Sequence, residues 1–142
     1  MTTEIILTRQ YNQSIEQVWF ALTNKEALAA WFSPHDLKED LDKLPTGEVF
    51  HFISKSNPFW DGKMICRLVE ATTPYKLRYE FGGAWMKTPT IVEWTLESRD
   101  GGTYLTLSHT GFVGIRGWLL SKMLKSGWNS MMNSQAFSDS MK

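Results

Sequence analysis

The apolar and polar positions along this chain change period twice, and those changes predict its elements. Ile5, Leu7 and Tyr11 alternate with Thr8 and Gln10 as a first strand. Ser14-Ile15-Glu16-Gln17 then has the capping-box pattern, a hydroxyl at the cap and an amide three residues on. It opens a short helix with Val18, Trp19 and Leu22 on one face. Asn24 caps a second short helix through Trp31-Phe32, and Pro34 stops it. From Pro34 to Pro45 the chain is polar and acidic, with Asp36, Glu39, Asp40 and Asp42 around Leu37, Leu41 and Leu44. That stretch reads as a loop with, at most, a short edge strand.

A period of two then returns. Strands are expected at Glu48–Ser54, Lys63–Ala71, Tyr75–Phe81, Thr90–Ser98 and Thr103–Thr110. Asp61-Gly62, Gly82-Gly83 and Asp100-Gly101-Gly102 mark the turns, and connections this short favour an antiparallel meander. Met64, Cys66 and Leu68 share a face, as do Tyr75, Leu77, Tyr79 and Phe81; Val92, Trp94 and Leu96; and Leu105, Leu107 and His109. The intervening residues are mostly charged or hydroxylated, so one face of the sheet is apolar and one wet.

Gly114 to Phe137 reads as one long apolar helix, which packs on that face because the first two helices are too short to cover it. Along its first half, Ile115, Trp118, Leu119, Leu120 and Met123 spread around the helix, so this half needs cover on more than one side, from the sheet and from a loop or second subunit. Further on, Leu124, Trp128, Met131 and Met132 form a stripe opposite Lys125, Asn129 and Asn133.

Composition narrows the functional classes. The 142 residues suit one domain, residues 1–142, with no internal repeat or linker. Fifteen basic residues balance fifteen acidic ones, and no basic run appears, which argues against nucleic acid or a membrane as partner. No signal peptide and no apolar run of spanning length is visible, so a cytoplasmic location is expected. Seven Trp and seven Met, both suited to large irregular apolar spaces, point to a big core or an adaptable cavity.

Arg9-x-Tyr11-x-x-Ser14-x-Glu16-x-Val18-Trp19-x-Ala21-Leu22-Thr23 resembles the opening of the family named after the activator of the heat-shock-protein-90 ATPase. Trp31-Phe32 matches its second helix, His109-Thr110-Gly111-Phe112 the end of its last strand, and Gly127-Trp128 its final helix. The order of elements resembles the helix-grip fold of the START-like superfamily. The resemblance implies an α+β fold, a curved antiparallel sheet of six or seven strands wrapped around a long C-terminal helix, with two short helices after the first strand. It implies either small-molecule binding or chaperone ATPase activation.

If the sheet curls around the helix, Met64, Tyr79, Phe81, Trp94, Leu107, His109, Met123, Trp128 and Met131 line a cavity or fill it. The expected ligand is an apolar or aromatic small molecule, bound for sequestration or transport, with polar contacts from Tyr79, His109 and the indoles of Trp94 or Trp128. Trp31, Phe32, Phe59 and Trp60 sit at helix or loop ends, where they gate the cavity, anchor a partner or close the core. The alternatives are an enzyme using His109 and Tyr79, and an interaction module with a chaperone or a homodimer partner. No catalytic motif is recognisable, three scattered His and one Cys make no zinc pattern, and no cofactor is expected. His109 on an apolar face is most simply satisfied by a neighbouring hydroxyl or carbonyl.

Overall fold

A computed structural model describes residues 3–55, 58, 61–83, 86 and 88–142. The first strand, β1 (Ile5–Tyr11), leads into α1 (Ile15–Thr23) and α2 (Lys25–Trp31). Ser14 and Gln17 close the expected capping box, the Ser14 amide donating to Gln17 Oε1 at 2.8 Å and the Gln17 amide to Ser14 Oγ at 3.3 Å. Asn24 caps α2, its Oδ1 accepting from the Ala27 amide at 2.9 Å.

Five strands follow: β2 (Val49–Ile53), β3 (Lys63–Thr72), β4 (Lys76–Gly82), β5 (Thr90–Arg99) and β6 (Gly102–Thr110). They form one six-stranded sheet in the order β1-β6-β5-β4-β3-β2, with every neighbouring pair antiparallel. A register shift at Leu68/Glu70 bends β3. The polar 34–48 segment contributes a single bridge, His35 to Phe52, and a short 3-10 turn at Leu41–Lys43. It covers the edge of β2, with Ile53 donating to the Pro34 carbonyl at 2.7 Å and Asp36 to the His51 carbonyl at 3.2 Å.

The alternation assigned the faces well. Leu77, Tyr79, Phe81, Val92, Trp94, Leu96, Leu105, Leu107 and His109 are all buried. Tyr75 is the exception: it lies before β4 and is exposed.

The long helix is shorter than expected. It runs as α3 from Gly114 to Met132, and a separate turn, α4 (Gln135–Asp139), follows. Asn133 leaves the helical conformation, and Ser134 Oγ starts the new turn by accepting from the Phe137 amide at 3.1 Å. The turn swings Phe137 into the core, edge-on to Tyr11 at 5.6 Å and against Trp31 at 4.5 Å. The Tyr11 hydroxyl donates to the Met132 carbonyl at 2.7 Å, satisfying one of the free acceptors at the end of α3. α1, α2 and α4 therefore close one end of the sheet's inner face, and α3 packs on it through Trp128, which meets Trp94 and Phe81.

Candidate functional site

Trp94, on β5, and Trp128, on α3, meet edge to face at 5.5 Å in the middle of this interior. Phe81 lies 6.1 Å from Trp128, and Phe32 stacks on its other side at 5.3 Å. Such contacts between ring faces and edges are favourable in themselves. Leu107 is fully buried here as well. These rings pack directly on one another.

The polar atoms here are matched with similar economy. The Trp128 indole can only donate, and it donates to His109 Nδ1 at 3.1 Å. His109 therefore carries its hydrogen on Nε2, which donates to Thr90 Oγ1 at 2.7 Å, and the Thr90 hydroxyl donates onward to the Phe81 carbonyl at 2.6 Å. Burial pushes the His109 pKa down to about 3, so the ring is neutral. With both nitrogens engaged, it is a structural link between β6, β5 and α3.

Tyr79 differs. Its hydroxyl accepts from the Trp94 indole at 3.2 Å, and among the described residues no acceptor takes its hydrogen. Burial pushes the phenol well above its usual range, so it remains a donor at any physiological pH.

The remaining expected wall residues divide. Met64 and Met131 are half-buried against the core. Met123 is 72 % exposed and belongs to the outer face of α3. The inner row of that helix is Gly117, Ser121, Leu124, Trp128 and Met132, spaced by three or four residues, and Met123 lies across the helix from it. A row headed by Gly and Ser gives no hydrophobic signal. Gly117 sits so close to Phe112 that an added Cβ would stand 3.0 Å from the Phe112 carbonyl carbon. Ser121 is buried and turns its hydroxyl back to the Trp118 carbonyl at 2.6 Å.

Of the expected mouth residues, Trp31 is buried and donates to the Ala21 carbonyl at 2.6 Å, which pins α2 to α1. Phe32 is half-buried and bridges Phe52 and Trp128. Phe59 and Trp60 lie outside the described residues.

The other histidines have structural partners. His35 bonds the Lys25 carbonyl and accepts from the Leu37 amide at 3.1 Å. His51 pairs with Asp36 through ring and backbone, each at 2.7 Å. Burial acts to raise the Asp36 carboxyl, but these bonds outweigh it and hold it below the usual carboxylate range. Cys66 is buried, which pushes its thiol up and leaves it unreactive. Among the described residues no cluster of His, Cys, Asp and Glu is placed to hold a metal, and no helix is long and apolar enough to cross a membrane. Among the described residues, depressions lie elsewhere, of about 500 Å³ between α2 and α4 and about 260 Å³ over Gly82 on the outer face of the sheet. Neither is lined by the expected wall residues.

Comparison with known proteins places this architecture. A Mesorhizobium loti protein matches with a TM-score of 0.79 at 20% identity, over 96% of this chain and 95% of its own. A Bacillus halodurans protein matches with a TM-score of 0.72 at 24% identity, over 98% and 96%. The Aha1 dimer from Colwellia psychrerythraea matches with a TM-score of 0.73 at 15% identity, over 93% and 91%. These likenesses show a common fold. No curated protein matches the chain. The model of one family, described as Activator of Hsp90 ATPase homolog 1-like protein, matches residues 12–135, and the chain belongs to that family.

Proposed function

We propose that the chain binds an apolar small molecule between the curved sheet and the first half of α3, and that it holds or carries this molecule without transforming it. The observation that carries the reading is the change of size along the inner row of α3. Trp128 and Met132 fill the interior with large side chains, whereas Ser121 supplies almost no volume and Gly117 is already closed over by Phe112. Leu120, Leu124, Met64 and Met131 are half-buried around the same core, and Met in particular adapts to irregular shapes. Ser121 spends its hydroxyl on its own helix, so this surface is apolar.

Among the described residues of this interior, Tyr79 keeps a hydroxyl hydrogen that no acceptor takes. An apolar wall with a single placed polar group suits a neutral aromatic or aliphatic molecule bearing a hydrogen-bond acceptor. The neutral, doubly bonded His109 offers neither a proton nor a base, which weighs against an enzyme built on it. Titration of the purified chain with a neutral aromatic ketone, followed by native mass spectrometry, tests the reading. A one-to-one complex supports it, and an absence of any bound mass refutes it.

The family description and the exposed apolar face of α3 favour a second reading, an interaction module acting on a chaperone ATPase. Pull-down with the chaperone and an ATPase assay separate the two: stimulation without a bound small molecule supports the second.

A further inference from the structure

The first half of α3 wears its apolar side chains on the wrong side. Gly117 and Ser121 face inward, while Ile115, Leu119 and Met123, each four residues from the next, are 76 %, 54 % and 72 % exposed. Val113, just before the helix, is 75 % exposed. Single exposed aliphatics are ordinary on a soluble protein, but a continuous row of them marks a surface that something covers.

Charge identifies what covers it. No Asp or Glu occurs between Asp100 and Asp139, yet Arg116, Lys122 and Lys125 all lie on α3. Helical geometry sets Arg116 on one side of the row and Lys122 on the other. Among the described residues none of the three forms an ion pair, and the Lys122 ammonium lies 5.6 Å from the Trp118 ring. A second copy of α3 laid on this face would gather cations without a single anion, which disfavours self-association through it. The row projects from a convex helix, so it suits a surface that deforms around protruding side chains.

We propose that the outer face of the first half of α3 docks on an anionic lipid surface. Val113, Ile115, Leu119 and Met123 enter the boundary between headgroups and acyl chains, and Arg116 and Lys122 meet the lipid phosphates. The zero net charge of the chain argued against a membrane partner, but folding gathers these cations around one apolar row. The inference stands independently of whether a small molecule binds inside.

Co-sedimentation of the full chain with phosphatidylcholine vesicles, with and without phosphatidylserine, tests it. Binding is expected only with phosphatidylserine and should weaken as salt is raised. Leu119→Gln, at an exposed position, should reduce partitioning by about tenfold, and Lys122→Gln by about fivefold. Absence of binding to phosphatidylserine vesicles would overturn the proposal, as would unchanged binding of both variants. So would light scattering that shows a dimer of the chain dissociated by Leu119→Gln, since the row would then be covered by a second copy.

Discussion

The indole of Trp128 donates to Nδ1 of His109 at 3.1 Å, and this bond ties the long helix to the last strand at the centre of the grip. It orients the imidazole, selects its tautomer and leaves it nothing to offer a substrate. The residue that sequence reading singles out as candidate chemistry is thereby a fastening.

Trp128→Phe keeps an aromatic ring in the core but removes the donor to His109 Nδ1. An unpaired buried acceptor and the lost ring volume together should lower stability by about 2–4 kcal/mol. Urea denaturation checks this; an unchanged midpoint would mean that the bond contributes nothing.

Acid should weaken the fold early. The His109 pKa is about 3 when folded against 6.5 as its ordinary value, so below pH 6.5 the unfolded chain binds a proton that the folded one refuses. Stability is therefore full above about 6.5 and falls towards pH 3, by up to about 1.4 kcal/mol per pH unit. Asp36, whose pKa is lowered from 3.8, adds its own loss as the pH falls below about 3.8. Thermal melts between pH 7 and 4.5 should show the slope in the native chain and a smaller slope in His109→Gln.

Asp36→Asn should loosen the edge of β2. The carboxylate accepts from both the amide and the ring of His51, and an amide side chain replaces these with weaker bonds. A loss of about 1 kcal/mol is expected, with faster amide exchange in β2 and no change in β5. Equal exchange in both strands would contradict the role given to this contact.

Gly102→Ala should be among the most damaging single methyl additions. A Cβ there would fall on the carbonyl oxygen of Tyr11, where β1 and β6 meet. Backbone on both sides leaves nothing flexible to yield, so a loss above about 2 kcal/mol is expected in denaturant melts. Gly101→Ala is a useful contrast: it meets no neighbour, and its strain comes only from a φ of +78°.

Much of this fold was legible from period alone. Leu77, Tyr79 and Phe81, and Val92, Trp94 and Leu96, announce the inner face because alternation is strict where one side is buried. The break at Ser134 was harder to see, since apolar residues continue past it and only the capping hydroxyl separates two helices. Met123 was misplaced for a related reason. Apolar residues surround the first half of α3, so the inner row shows itself only through Gly117 and Ser121, which no measure of hydrophobicity detects. The partners of His109 each lie 19 residues away, Thr90 on a neighbouring strand and Trp128 on a helix. A sequence predicts that such a histidine is satisfied, but not by what.

The central claim is that a small molecule fits beneath Ser121, and the indole resonances of Trp94 and Trp128 test it most directly. Titration with a neutral aromatic ketone such as benzophenone should shift both signals saturably, at one equivalent. Ser121→Leu, which fills the inner row, should abolish the shifts while leaving the protein folded. Absence of any saturable shift in the native chain, or identical shifts in Ser121→Leu, would contradict the account.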